Sequence, residues 1–266
     1  MTDDPDLPDA LARFDDFAHR LGERKPAIFL DYDGTLTPIV ERPELAVLDE
    51  DMRASLAELS RWLPVAIISG RDRADVESLV GLPNLVYAGS HGFDIAGPGG
   101  LKREYEAAAD FVPALEEAAK RLRAAAGGIE GVLIEPKRYA IAVHYRLVAD
   151  SEIAAVERAF ESVLAGIGSL RRTAGKKVFE LRPNLAWDKG KAVSWLLAEL
   201  GLDHPGILPV YIGDDETDED AFAALAGRGI GILVADRPQN TLAQYRLGSP
   251  QAVGEFLRRL IRKPHA

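Results

Sequence analysis

The apolar run Ala27-Ile28-Phe29-Leu30 ends abruptly in Asp31-Tyr32-Asp33-Gly34-Thr35, two carboxylates one residue apart followed by a glycine turn. Four apolar residues bounded by turn chemistry read as a buried strand with acids at its carboxyl end. That end of a strand is where open α/β sheets bind ligands. Two carboxylates there repel each other and lose hydration unless a cation or a hydrogen-bond network compensates. A divalent metal would do so; an Asp-Gly turn that merely closes a strand is the alternative. A calcium loop of the EF-hand kind is excluded, because the twelfth position from Asp31, which must carry a bidentate glutamate, is Arg42.

Three further segments, in order along the chain, supply what phosphoryl chemistry needs. Val65-Ala66-Ile67-Ile68 ends in Ser69-Gly70-Arg71, a hydroxyl and backbone N–H groups suited to phosphate oxygens. Trp187-Asp188-Lys189-Gly190-Lys191 opens an amphipathic segment and places Lys189 near a helix N-terminus, where phosphate is already favoured. Val210-Tyr211-Ile212-Gly213 then runs into Asp214-Asp215-Glu216-Thr217-Asp218-Glu219-Asp220, so much negative charge after a buried strand that a metal is called for. Each piece alone is ordinary, and Asp218, Glu219 and Asp220 also read as first-turn acids of a helix through Ala221–Ala224. Their joint occurrence, each at a strand end or a helix start, is what points to a site.

Apolar strands near 27–33, 65–69, 85–89, 208–213 and 230–235 alternate with helical patterns near 50–61, 73–80, 190–200, 218–225 and 251–262. This alternation predicts an α/β core with a parallel sheet and helices on both faces. Between Gly97-Pro98-Gly99-Gly100 and Pro183-Asn184 the rhythm changes to a helix near 106–126, two strands, a helix near 151–165 and two more strands. This αββαββ pattern predicts an inserted α+β domain with an antiparallel sheet, residues 101–183, splitting a core of residues 1–100 and 184–266. Ile141, Val143 and Tyr145 alternate with Ala142, His144 and Arg146, marking one apolar and one polar face.

The 266 residues, 47% of them hydrophobic, suffice for a sizeable core, and the absence of cysteine excludes disulfides and thiolate catalysis. A net charge of −10 argues against a nucleic-acid partner and requires local positive charge, from Lys189, Arg71 and a metal, at any phosphate site. The basic group Arg258-Arg259-Leu260-Ile261-Arg262-Lys263 reads as complementing the dipole of a last helix. Met1 to Asp9 is acidic and proline-punctuated, and no apolar run approaches membrane-spanning length, so the expectation is a cytoplasmic protein with no membrane partner.

Asp31-x-Asp33-Gly-Thr, Ser69-Gly-Arg71, Lys189-Gly190 and Gly213-Asp214-Asp215-x-Thr217-Asp218 together resemble the four motifs of the haloacid dehalogenase (HAD) superfamily of phosphohydrolases, over nearly the whole chain. Within it, Gly89-Ser90-His91-Gly92, Val143-His144-Tyr145-Arg146 and Lys176 to Pro183 are similar to trehalose-6-phosphate phosphatases. The resemblance implies a Rossmann-like HAD core with a substrate-specificity cap, hinged near Gly97–Gly100 and Pro183. It implies that Asp31 attacks phosphorus to form an aspartyl-phosphate, while Asp33, its pKa raised by neighbouring carboxylates, protonates the leaving sugar oxygen and later deprotonates water. Ser69 and Lys189 hold phosphate oxygens in that picture, with a contribution from Thr35. Magnesium is held by Asp31, the Asp33 carbonyl and Asp214, with Asp215 and Asp218 orienting its waters. Gly70, Arg71, His91 and Gly92 line the substrate side of the core, whereas Asp94 is given no role. On the cap, Glu135, Lys137, Arg146 and Glu180 are the preferred sugar contacts, with Lys176 added and His144, Lys177 and Arg182 also available.

The expected reaction is magnesium-dependent hydrolysis of trehalose 6-phosphate to trehalose and phosphate. A phosphatase for sucrose phosphate, mannosyl-3-phosphoglycerate or a hexose phosphate is a neighbouring reading. A non-catalytic sugar-phosphate sensor is another, disfavoured because anion binding is easier without Asp31 and Asp33. Association with a trehalose-6-phosphate synthase, through Ala57–Trp62 or the last helix, is a further partner expectation.

Overall fold

The computed structural model describes residues 7–262; Met1–Asp6 of the acidic N-terminal stretch and Lys263 of the basic group lie outside it. The elements run α1 (Phe14–Leu21), β1 (Lys25–Leu30), α2 (Glu50–Leu59), β2 (Val65–Ile68), α3 (Arg73–Val80), β3 (Val86–Gly89), β4 (Asp94–Ala96) and β5 (Lys102–Glu104). There follow α4 (Glu106–Ala109), α5 (Val112–Ala126), β6 (Leu133–Pro136), β7 (Ile141–His144), α6 (Asp150–Ala165), β8 (Leu170–Gly175) and β9 (Val178–Pro183). The chain closes with α7 (Lys189–Glu199), β10 (Ile207–Gly213), α8 (Glu219–Ala224), β11 (Ile230–Val234), β12 (Tyr245–Leu247) and α9 (Pro250–Arg262). It divides into two compact units, Met1–Lys102 with Asp188–Ala266, and Arg103–Trp187.

In the first unit the strand order β12-β11-β10-β1-β2-β3-β4 is parallel throughout except for the antiparallel β3–β4 pair. Each central strand is apolar on both sides because each side is covered. Ile28, Leu30, Val65, Ile67, Val210 and Ile212 face a layer that includes Phe17, Leu56, Val76 and Leu257. Ala27, Phe29, Ala66, Ile68 and Tyr211 face the opposite layer, with Val193, Leu196 and Phe222. The two-residue period of a strand thus divides one continuous apolar run between two helical layers. From β1 the chain builds outward through β2 and β3 on one side, then returns to build β10, β11 and β12 on the other. The topological switch point therefore lies between β1 and β10, the place where such sheets offer a crevice at their carboxyl ends.

The second unit has a four-stranded antiparallel sheet, order β6-β7-β9-β8. One face packs on α5 and α6, with Leu115, Leu122, Val156, Phe160, Ile141, Val143, Phe179 and Leu181 in one core. The helix read over 106–126 is two helices, α4 and α5. The break falls at Asp110-Phe111, just before Pro113 in the first turn of α5, where a ring without an N–H is tolerated but could not continue an earlier helix. No described helix is long and apolar enough to cross a membrane.

Candidate active site

The first unit brings the four motifs to the switch point. Asp31 follows β1, its N–H donating to the Ile212 carbonyl at 2.9 Å, and is 4% exposed. The chain then turns sharply: Gly34 N donates to Thr37 O at 2.8 Å and Leu36 N to Tyr32 O at 2.9 Å. Gly34 has φ +84°, and a Cβ there would lie 2.0 Å from Asp214 Oδ2. The glycine is thus required twice, for the left-handed backbone and for the approach of the turn to the fourth motif's carboxylate.

Lys189 is the first residue of α7, whose N-cap Asp188 accepts from Lys191 N at 2.8 Å. Its ammonium is buried and donates to Asp31 Oδ1 at 2.9 Å and to Asp218 Oδ1 at 2.7 Å. Asp218 is in turn saturated. Besides Lys189 it accepts Tyr211 OH at 2.6 Å, Asp214 N at 2.8 Å and Asp215 N at 3.0 Å. Asp218, expected to orient metal-bound waters, gives the roughly four acceptor positions of a carboxylate to donors of the protein. Asp218 instead anchors Lys189 and shapes the loop after β10. Asp215 caps the short turn Glu216–Asp218, accepting from the Thr217 N–H at 2.9 Å and hydroxyl at 2.7 Å.

The electrostatics follow from burial. Loss of hydration pushes the Asp31 carboxyl well above its ordinary range; Lys189 opposes this, and Asp218, Asp214 and Asp215 add to it. Burial alone would depress Lys189, but Asp218 and Asp31 hold it above its usual value as an ammonium. Asp218, despite its burial, is held low by Lys189 and by the donors around it. Asp215 is pushed up to about 6 by burial and the nearby Asp218 charge.

Carboxylate oxygens of Asp31, Asp214 and Asp218 lie within 4.8 Å of one another, all buried. With Lys189 divided between Asp31 and Asp218, the Asp31 and Asp214 carboxylates are a hard-oxygen donor set of the kind a divalent cation such as magnesium takes.

Ser69 follows β2 and is 1% exposed; its Oγ accepts from Arg71 N at 3.1 Å, which leaves the hydroxyl proton to donate. Main-chain bonds from Ser90 N to Arg71 O (2.6 Å) and from His91 N to Ser69 O (2.8 Å) stitch the Ser69–Arg71 loop to the Ser90–Gly92 loop. Ser90 and His91 both take positive φ, 48° and 57°. Two successive non-glycine residues in that region store strain, which the surrounding contacts must hold. A Cβ on Gly70 would lie 2.9 Å from His91 Nε2, so the imidazole lies against the Gly70 backbone. Thr35 is fully buried, and its hydroxyl has no hydrogen-bond partner. Asp94 accepts from Arg73 Nε at 3.0 Å, a structural pairing.

Two placements differ from the sequence expectation. Both Asp33 oxygens accept from the Arg71 guanidinium, at 2.7 and 2.8 Å, so a cation rather than the neighbouring carboxylates grips this side chain. Arg71, expected on substrate, is occupied there instead. Tyr211 was not singled out; the only sequence signal was a phenol inside an otherwise apolar strand run, which must find a buried acceptor.

In the second unit, cross-strand register sets Glu135, Ala142, Glu180 and Thr173 side by side on the face opposite the core. Glu180 meets Lys137 Nζ at 3.5 Å and accepts from Thr173 Oγ1 at 3.3 Å, while Glu135 pairs with His144 Nε2 at 2.8 Å. Arg146 donates to the Lys176 carbonyl at 2.5 Å, next to the tight β8–β9 turn where Lys177 has φ +61°. Carboxylates with adjacent cations are the donors and acceptors that sugar hydroxyls use.

Residues 29–251 match the family model described as trehalose-phosphatase. A trehalose 6-phosphate phosphatase of Zea mays is 43% identical over 274 residues, covering 97% of this chain and 76% of that protein. A trehalose-phosphate phosphatase of Mycobacterium marinum is 45% identical over 268 residues, covering 98% and 66%. Among solved structures, the C-terminal domain of Candida albicans trehalose-6-phosphate phosphatase superposes with TM-score 0.80 at 24% identity, covering 96% of this chain and 98% of that one. The Aspergillus fumigatus trehalose-6-phosphate phosphatase gives 0.61 at 30% identity, with 91% and 94% covered. The C-terminal domain of a Candida albicans trehalose synthase regulatory protein gives 0.70 at 12% identity, covering 94% and 98%, so the fold alone does not separate enzyme from regulator.

Proposed function

This chain belongs to the trehalose-phosphatase family, and from that premise we propose that it hydrolyses trehalose 6-phosphate to trehalose and phosphate through an aspartyl-phosphate on Asp31. The observation that carries the reading is the Asp31 carboxylate, buried at the end of the central strand, aimed by the Lys189 ammonium at 2.9 Å and flanked by Asp214. A carboxylate so held is restrained to one orientation and can meet phosphorus in line. As the phosphoryl group passes to Asp31, a proton from the Asp33 carboxyl goes to the departing sugar oxygen. Asp33 then takes a proton from the water that releases phosphate. The Ser69 hydroxyl and Lys189 stabilise the phosphoryl oxygens as charge shifts between them.

The Asp31 and Asp214 carboxylates and the Asp33 main-chain carbonyl would hold magnesium, which would supply Lewis-acid neutralisation of the phosphoryl charge. We assign the second unit the role of substrate-specificity cap, with Glu135, Lys137, Arg146, Glu180 and Lys176 as sugar contacts, and His91, Gly70 and Gly92 as lining of the phosphate side. The cytoplasm, where phosphorylated sugars are made and kept, is the compartment this reading implies. A trehalose-6-phosphate synthase, which supplies the substrate, is the partner. The sensor alternative is opposed by the intact set of Asp31, Asp33, Lys189 and Asp214.

Phosphate release is to be measured with magnesium on trehalose 6-phosphate, sucrose 6-phosphate, glucose 6-phosphate and mannosyl-3-phosphoglycerate. The expected outcome is a preference of roughly tenfold or more for the trehalose ester, a margin that a few sugar contacts supply, and loss of turnover on chelation. A shifted preference would discard the substrate assignment. No release from any ester by the folded, metal-loaded protein would favour the sensor.

A further inference from the structure

We infer that Arg71 is a positioning residue for Asp33: its guanidinium fixes the acid–base carboxylate rather than holding substrate phosphate, an inference that rests on the reaction proposed above. Arg71 is buried at 7% exposure and its donors are spoken for. Nε and Nη2 donate to the two oxygens of Asp33 at 2.7 and 2.8 Å, Nη2 also to the Pro43 carbonyl at 2.7 Å, and Nη1 to Asp75 at 2.9 Å. Four of the five N–H groups of a guanidinium are thereby directed at the protein itself. The plane also lies over the Tyr32 ring, 5.4 Å from its centroid. Asp33, by contrast, is 38% exposed in its side chain. A half-exposed aspartate would sample several rotamers. Against a rigid, coplanar fork its two torsions are set together.

The chemistry gives the fork a use in both half-reactions. When the proton leaves Asp33 for the sugar oxygen, and the P–O bond to that oxygen breaks as the one to Asp31 forms, the carboxylate produced is received by a cation already in place. When water attacks the aspartyl-phosphate, the same orientation presents the carboxylate to the incoming proton. The Pro43 contact adds that the turn Pro43–Leu45, downstream of the first motif, shares the clamp.

The test compares two leaving groups in single-turnover kinetics. A sugar alkoxide needs a proton to depart; p-nitrophenolate does not, and its burst reports the first step alone. For Arg71→Gln, aspartyl-phosphate formation from trehalose 6-phosphate is expected to fall about 30-fold, a partial loss of the roughly 10²–10⁴-fold that general acid catalysis contributes. KM and the p-nitrophenolate burst are expected to stay within about threefold. Arg71→Lys is expected to resemble Arg71→Gln, because an ammonium cannot reproduce the fork. Equal losses with both esters, a rise confined to KM, or full recovery by lysine would each overturn the inference. If Arg71→Gln does not fold, Asp75→Asn, which removes the exposed anchor of Nη1, is expected to show the same split at several-fold size, and equal effects on both esters would overturn it. An unsubstituted chain that gives a burst but spares trehalose 6-phosphate would sink only the substrate assignment, the comparison then being made with glucose 6-phosphate. Inactivity on every ester would overturn both.

Discussion

Asp31→Asn is expected to lower phosphate release from every ester by roughly 10⁴-fold or more, the scale of losing a covalent nucleophile, without lowering the melting temperature of the metal-free protein. The amide has the shape of the carboxylate, so packing at the end of β1 is preserved. What is lost is the charge and the nucleophilic oxygen. What is relieved is repulsion: burial and three neighbouring acids raise the pKa of Asp31 in the fold, so it carries a stability cost that is complete above that raised pKa, shrinks as pH falls through it and vanishes only below the ordinary carboxylate value. Removing the charge removes the cost at neutral pH. The stabilisation conferred by magnesium should shrink in the variant, since one of its anionic ligands is gone. A variant that keeps a tenth of the parent's turnover would refute Asp31 as nucleophile.

Lys189→Met should be the most damaging single change to the fold of the site. The ammonium is the shared partner of Asp31 and Asp218 in a region where both acids are buried. Taking one member from a buried ionic cluster costs about 3–5 kcal/mol, because the remaining charges lose their compensation. Phosphoryl transfer should fall by roughly 10²–10³-fold at the same time, from the loss of a preorganised cation at the transition state. Adding Asp218→Asn to Lys189→Met is expected to restore part of the stability, since removing both partners costs less than orphaning one. Denaturant unfolding of the two variants side by side reads this directly. Equal stability of Lys189→Met and the parent would show that the lysine does not balance the acids.

The legible part of this molecule was whatever the sequence writes locally. The central strands appear as apolar runs, the first-motif turn as Asp33-Gly34, and the layer alternation as a two-residue period. Short elements escaped: β4 and β12 have three residues each, too few for a periodicity, and α4 is separated from α5 only by Asp110-Phe111. The site was legible in its membership but not in its pairings. Asp33 meets Arg71 across 38 residues and Lys189 meets Asp31 across 158, distances over which composition says nothing of who bonds whom. Hence the sequence alone does not show that Asp218 takes four donors from the protein or that Arg71 grips Asp33. On the antiparallel sheet, alternation identified the polar face, while the row Glu135, Ala142, Glu180, Thr173 became visible only with the register.

The most direct measurement is to quench the protein during turnover of phosphorus-labelled trehalose 6-phosphate with magnesium and locate the label. Parallel samples are reduced with borohydride, which converts an aspartyl-phosphate to homoserine. Label on the peptide containing Asp31, with homoserine at that position and neither signal in Asp31→Asn, is the predicted result. Full turnover with no labelled peptide, or label on another residue, would contradict an aspartyl-phosphate at Asp31.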